Sequence, residues 1–189
     1  GTTGESSTLL DDEHRCVIEH AVTVAAGRVP IVAGTGSNDT DYAVSLSKDA
    51  CRSGADGLLV VTPYYNKPSQ EGLYRHYAEV AQNSKVPVIL YNVPGRTGVN
   101  LSAQTTLRLA REFKNIIAIK EASGNFAQID DIIKHKPDSF MVISGDDGIT
   151  FPLITLGAVG VISVIGNAFP KEFSRMVRLA LNGDDNGAR

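Results

Sequence analysis

The chain has 189 residues, a formal net charge of -3 and 42% hydrophobic residues, enough apolar matter to bury a core as one domain over residues 1–189. Balanced charge without a Lys/Arg tract argues against a phosphate-coating nucleic-acid surface, and no apolar run approaches the roughly 20 residues that span a bilayer. With no basic-then-apolar secretion pattern at the start, a cytoplasmic protein with a small-molecule partner is expected.

From Asp11 onward, short β-branched runs alternate with amphipathic stretches, the signature of repeated βα units around a parallel sheet. The first helix is expected to start at Asp11-Asp12, the second at Asp39 or Thr40, the third at Ser69 and the fourth at Ser102, each supplying a side-chain oxygen for unpaired amides. The strand candidates are Ile31-Val32-Ala33, Leu58 to Val61, Val88 to Tyr91, Ile116 to Ile119, Phe140 to Ile143, and Val159 to Val164 around Gly160. Their apolar character throughout, without alternation, predicts a sheet covered on both faces. Cys16 and Cys51 fall in helix-like stretches with no C-x-x-C pair, so reduced, buried thiols are expected.

Such a period fits a doubly wound sheet or a (β/α)8 barrel. Gly34-Thr35-Gly36 lacks the third glycine of a dinucleotide fingerprint, and no P-loop lysine follows Gly1 to Gly4. The barrel is favoured because the polar residues collect just past strand ends, which in a barrel converge on one mouth. Those ends supply Thr2-Thr3-Gly4-Glu5, Gly34-Thr35-Gly36, Thr62 to Asn66, Tyr91 to Arg96, Lys120-Glu121, Gly145-Asp146-Asp147 and Ile162-Ser163.

Lys120 ends an apolar run, so its ammonium should be held between apolar walls, where desolvation favours the neutral amine that attacks a ketone. Read alone, a strand-end lysine more often carries its charge to solvent; its company changes the reading. Imine formation requires proton transfer, which Tyr91, Tyr65 and Thr3 are candidates to relay. The plainer reading makes each tyrosine a half-buried ring with an ordinary partner and Thr2-Thr3 a turn before a helix. Backbone amides at Thr2 and Thr3 suit a carboxylate, and Arg96, after a Pro-Gly turn, suits a second one by two parallel hydrogen bonds. Asp146-Asp147 reads as a cap before a helical stretch, with no His or Cys at ligand spacing, so no metal is expected. His14, His20, His76 and His135 sit in helix-like segments and read as structural or surface residues. No G-x-S-x-G elbow is present.

Six motifs in order, G-T-T-G-E at the start, Tyr64 to Pro68, Tyr91 to Gly98, Ile119 to Ala122, Ser144 to Asp147 and Gly160 to Ser163, closely resemble the 4-hydroxy-tetrahydrodipicolinate synthase (dihydrodipicolinate synthase) family of pyruvate-dependent class I aldolases and lyases. The likeness runs the length of the chain. It implies condensation of pyruvate with L-aspartate-4-semialdehyde in the diaminopimelate route to lysine, with no cofactor beyond a covalent imine of pyruvate on Lys120. By position, Thr3, Tyr91 and Tyr65 would form the proton relay, with Tyr65 reaching into a neighbouring subunit of a homotetramer built as a dimer of dimers. Thr2 and Thr3 would seat the pyruvate carboxylate, Arg96 the semialdehyde carboxylate, and Gly145 and Ile162 would line the pocket through their backbones. Sibling sialic acid lyases and 2-keto-3-deoxygluconate aldolases generally lack this arginine pattern.

The resemblance also implies a lysine-effector site at Ser6, Ser7, His14, Asn38 and Tyr64. Asp11 and Tyr42 replace a histidine and a glutamate that sensitive bacterial enzymes tend to carry, so weak or absent feedback is expected. A full barrel takes about 250 residues. The chain therefore reads as a partial barrel, truncated at the N-terminus (first βα unit and second strand missing) and at the C-terminus. Two other readings stand beside the synthase: a sibling pyruvate aldolase with a sugar-acid substrate, and a non-catalytic barrel fragment.

Overall fold

The computed structural model describes residues 1–188. Five parallel strands, β1 (Val32–Gly34), β2 (Gly57–Val61), β3 (Val88–Asn92), β4 (Ile116–Glu121) and β5 (Met141–Ser144), form one sheet in the order β1-β2-β3-β4-β5. Helices follow or precede them as α1 (Asp11–Ala25), α2 (Thr40–Arg52), α3 (Gln70–Asn83), α4 (Pro94–Thr97), α5 (Ala103–Glu112), α6 (Phe126–His135), α7 (Thr150–Leu156) and α8 (Pro170–Leu181). Each strand pairs with its chain neighbour, so every connection crosses back over the same face, as in repeated βα units.

The helices start where short polar side chains reach free amides. Asp39 accepts from the Tyr42 N–H, Ser69 from that of Gly72, Ser102 from that of Thr105, and Asn125 from that of Gln128, each cap typically contributing about 1 kcal/mol. The first helix departs from expectation. Leu10 holds the cap position, its N–H is taken by the Glu13 carboxylate at 2.9 Å, and Asp11 and Asp12 lie in the first turn, where they suit the helix dipole. In α3 the buried residues Leu73, His76, Tyr77, Val80 and Ala81 recur at helical spacing and form one stripe against the sheet.

Strand alternation divides the core into two layers. Leu58, Val60, Val88, Leu90, Ile119 and Val142 pack beneath the helices, while Leu59, Ile89, Tyr91 and Ala118, with Ile143, pack on the other face. The β3–β4 ladder breaks this rhythm once: Val88 pairs with Ile116, but Ile89 pairs with Ala118, leaving Ile117 as an extra residue. Ile117 and Ala118 both pack with the inner layer, whereas Ile116 and Ile119 pack with the helices. Such a bulge re-aims every residue after it.

Two strand expectations need correction. The run from Val159 to Val164 forms no strand; Ser144 makes a single parallel bridge to Val161, supported by Ile162 N–H to Ser144 O at 2.9 Å. Gly160, with φ 155°, adopts a backbone open to glycine that breaks the extended run. The described residues thus form an open five-stranded sheet. Lys120 and Glu121 lie within β4 rather than beyond it, and Asn92 within β3. The thiols are free, but Cys16 is exposed and Cys51 only partly covered, because Cys16 lies on the outward face of α1.

His76 is buried at 3% exposure; Nδ1 meets the Thr40 hydroxyl at 2.9 Å and Nε2 has no partner among the described residues. Burial pushes its pKa down from 6.5 to about 4, against a smaller opposing pull from Asp39. The fold therefore holds the neutral ring, and the unfolded chain binds the extra proton first. This part of stability is fully present above pH 6.5 and falls as the pH drops through the window down to about 4. Comparing urea unfolding of the protein and of His76→Gln between pH 7 and 4, the parent is expected to lose on the order of 3 kcal/mol more than the variant; equal losses would contradict the assignment.

Candidate active site

The reversed parity after Ile117 turns Lys120 to the inner face of the sheet and Glu121 to the helix side. Lys120 is paired in register with Tyr91 on β3 and Ile143 on β5. Its side chain is 9% exposed, and Nζ lies 4.1 Å from the centre of the Tyr91 ring. Burial holds the amine below the ordinary lysine range; Asp147 pulls it back up and the Arg96 charge pushes it further down. A larger share of Lys120 is therefore uncharged near neutral pH than for a solvated lysine. Burial raises the Tyr91 hydroxyl pKa, with a smaller opposing pull from Arg96, so this phenol stays protonated and can donate.

Gly145 follows β5 directly and continues the ladder through its N–H to Glu121 O at 2.8 Å. A Cβ built there would lie 2.8 Å from the Ala122 Cβ, 3.0 Å from the Lys120 Cε and 3.1 Å from its Cγ. These contacts are closer than ordinary packing tolerates, so the bare glycine is what leaves room for the lysine stem.

These groups open on a cleft of about 540 Å³ lined by Thr2, Thr3, Tyr91, Arg96, Lys120, Gly145, Asp147 and Ile162 among others. Thr2 and Thr3 enter it from a short 3-10 turn, Thr2–Gly4, whose first N–H groups have no acceptor within the turn. Arg96 stands on α4, exposed, and no carboxylate pairs with its guanidinium among the described residues. Seven of the eight expected catalytic and substrate-binding residues thus meet in one place. The exception is Tyr65, which does not line this cleft and is 88% exposed, with φ 73°. A left-handed backbone costs a residue with a side chain roughly 1 kcal/mol, and here it turns the ring outward. Among the described residues no hydrogen bond joins the hydroxyls of Thr3, Tyr91 and Tyr65.

A second, larger cleft of about 920 Å³ shares the walls at Thr2, Tyr91 and Arg96 and is lined further by Ser6, Ser7, Asp11, His14, Tyr42, Tyr64, Tyr65 and Lys67. Four of the five expected effector residues lie here. Asn38 does not line it; its carbonyl instead accepts from the Asn66 side chain at 3.0 Å. His14 Nε2 meets the Gly34 carbonyl at 3.0 Å. Tyr42 donates to the Asp11 carboxylate, and this bond raises the Tyr42 pKa to about 12.

Three residues take up roles other than those read for them in the sequence. Asp147 is a wall of the smaller cleft as well as an anchor: its carboxylate accepts from the Val164 N–H at 3.0 Å and the Ile165 N–H at 2.7 Å. Asp146, as expected, caps the next turn by accepting from the Gly148 N–H at 2.9 Å. Glu121 and Asn92, expected at the mouth, face away from it and are fully buried on the helix side. Period-two alternation applied from Lys120 and Tyr91 would have found both. No group of three or more His, Cys, Asp or Glu among the described residues is arranged to hold a metal ion, and no described helix is long and apolar enough to cross a membrane.

Known proteins resemble the chain over its whole length. The model of the dihydrodipicolinate synthetase family matches residues 1–189. A 4-hydroxy-tetrahydrodipicolinate synthase from Parabacteroides distasonis is 64% identical over 189 residues, covering 100% of this chain and 64% of the relative's length. The crystal structure of dihydrodipicolinate synthase from Aquifex aeolicus superposes with a TM-score of 0.98 at 52% identity, covering 100% of this chain and 64% of that one. A structure described as the first monomeric dihydrodipicolinate synthase variant superposes with a TM-score of 0.97 at 41% identity, again over 100% of this chain and 64% of that one. The chain thus spans less than two thirds of the length of these relatives, and it belongs to the dihydrodipicolinate synthetase family.

Proposed function

We propose that the chain carries the chemistry of 4-hydroxy-tetrahydrodipicolinate synthase, joining pyruvate to L-aspartate-4-semialdehyde in the diaminopimelate route to lysine, and that its five strands are an arc of a (β/α)8 barrel domain. The observation that carries this reading is Lys120, 9% exposed against the Tyr91 ring and held below the ordinary lysine range by burial. Its free amine adds to the C2 carbonyl of pyruvate, and the adduct loses water to give an imine. A proton leaves the pyruvate methyl carbon, and the resulting enamine attacks the semialdehyde's aldehyde carbon. The amino group of the joined product then attacks the imine carbon, closing the ring and releasing Lys120 as free amine. The aldehyde oxygen takes up a proton to become the ring hydroxyl, balancing the one lost from the methyl carbon; one water leaves, and no cofactor or metal is required.

Thr2 and Thr3 are assigned to the pyruvate carboxylate, and Gly145 and Ile162 to the pocket wall. Arg96, with no carboxylate partner of its own among the described residues, is assigned to the semialdehyde carboxylate. Tyr91 and Thr3 begin the proton relay. Tyr65, exposed and held in a left-handed backbone, completes it in a neighbouring subunit, which makes the working form an oligomer and, by family likeness, a homotetramer in the cytoplasm. Arg96 at the cleft also favours this substrate over the sugar acids of sibling aldolases.

The larger cleft is assigned to a lysine effector. With no glutamate at position 42 and the Asp11 carboxylate already engaged by the Tyr42 hydroxyl, no free carboxylate at these two positions is left to pair with an effector's amino group. Titration of the natural protein with lysine is expected to give inhibition only at millimolar levels or none, and strong inhibition at micromolar levels would contradict this.

Borohydride reduction in the presence of pyruvate, followed by peptide mass analysis, tests the central assignment. Pyruvate should be fixed to Lys120 and to no other lysine, and Gly145→Ala should trap at least about tenfold more slowly, because a contact of 3.0 Å to Cε displaces the amine by an interaction of about 1.4 kcal/mol or more. Labelling at another lysine, or none in folded protein, would overturn the proposal.

A further inference from the structure

Glu121 is the one carboxylate that is buried among the described residues, at 0% exposure, and the proposed chemistry does not use it. It follows Lys120 directly and, by strand alternation, points to the helix side. Every group that touches its carboxylate is a donor. Asn92 Nδ2 lies 3.1 and 3.2 Å from its two oxygens, the Ser123 N–H lies 2.8 Å from Oε1, and Gln128 Nε2 lies 3.2 Å from Oε2. No cation pairs with it among the described residues.

The donors are themselves tied to one stretch of chain. Asn92 Nδ2 also reaches Asn100 Oδ1 at 2.8 Å, and Asn92 Oδ1 accepts from the Leu101 N–H at 3.0 Å. Gln128 on α6 accepts from Asn100 Nδ2 at 2.7 Å and donates to the Leu101 carbonyl at 3.2 Å. Asn100 and Leu101 end the loop that begins after Asn92 and carries α4 with Arg96. The loop is thus closed at its base by Asn92, and Asn92 is held in turn by the carboxylate beside the imine-forming lysine.

We infer that Glu121 is a positioning residue that locks the Arg96 loop in register with the Lys120 strand end, and so sets the distance between the site of the second substrate's carboxylate and the imine. The inference rests on the proposed function for its substrates, but its mechanical core does not. A carboxylate is required because all of its neighbours donate: an amide in its place presents an N–H₂ to another donor and breaks at least one bond of the ring. Burial raises the carboxyl pKa above the ordinary carboxylate range, and the Ser123, Asn92 and Gln128 bonds offset part of that rise, so it is the donor geometry that calls for an acceptor here.

The test uses the natural protein, Glu121→Gln, and, in case that variant folds poorly, Asn100→Ala, which loosens the same ring from its exposed end without touching β4. Both are expected to raise KM for the semialdehyde by about tenfold or more with little change in kcat, to retain borohydride trapping of pyruvate, and to speed hydrogen exchange across residues 93–101 relative to the rest of the sheet. Unchanged KM with unchanged exchange in both variants would overturn the inference. Equal loss of trapping and semialdehyde binding would also overturn it, since that marks general scaffolding. If the parent protein does not trap pyruvate, the proposed function fails by itself, and loop exchange alone then decides whether Glu121 positions the loop.

Discussion

The direction taken by one side chain, Lys120, depends on a single extra residue in the β3–β4 ladder. With Ile117 left out of the pairing, Ala118, Lys120 and the inner layer fall into step with Ile89 and Tyr91. Without it, alternation would send Lys120 beneath the helices and Glu121 into the cleft. An isolated ammonium buried among apolar side chains is costly, so the inner face favours the uncharged amine, the form that the proposed chemistry needs. The desolvation that would destabilise its charge lowers its pKa. Gly145 supplies the remaining condition, since its missing side chain is the space through which the lysine stem passes.

The two strand ends share a division of labour. Tyr91 and Lys120 face the cleft, and the residues immediately after them, Asn92 and Glu121, face the helices and bond to each other. The residues proposed to react on one side of the sheet are thus backed by a fully satisfied polar ring on the other. Satisfied rings of this kind are stiff, and their partial loss is costly because each orphaned polar atom remains buried. Asp147 plays a similar part at the next strand, its carboxylate tying down the Val164 and Ile165 amides beside the cleft wall.

Much of this was legible in the residues. Five apolar runs marked five strands to within one or two residues, and Asp39, Ser69 and Ser102 marked their helices because a cap is a local signal. Lys120 was singled out by the rule that chemistry collects at strand ends, although it lies inside β4. The bulge was not legible: Ile116-Ile117-Ala118-Ile119 is apolar at every position, so no alternation exists to reveal a one-residue shift. Reading all polar strand-end residues as mouth residues also misplaced Asn92 and Glu121. The run Val159 to Val164 looked like a strand, but with Gly160 at φ 155° it makes only a few bonds to β5 and one bridge at Val161. The outward turn of Tyr65 is set by its own left-handed backbone, which residue type alone does not announce.

The most direct measurement of the central claim is a pH titration of the Lys120 side-chain amine by NMR, using isotope-labelled lysine and Lys120→Arg to assign the signal. This amine is expected to lose its proton at a pH clearly below the ordinary lysine value of about 10.4. A Lys120 that titrates at that ordinary value would show that burial on the inner face does not prepare the amine for attack.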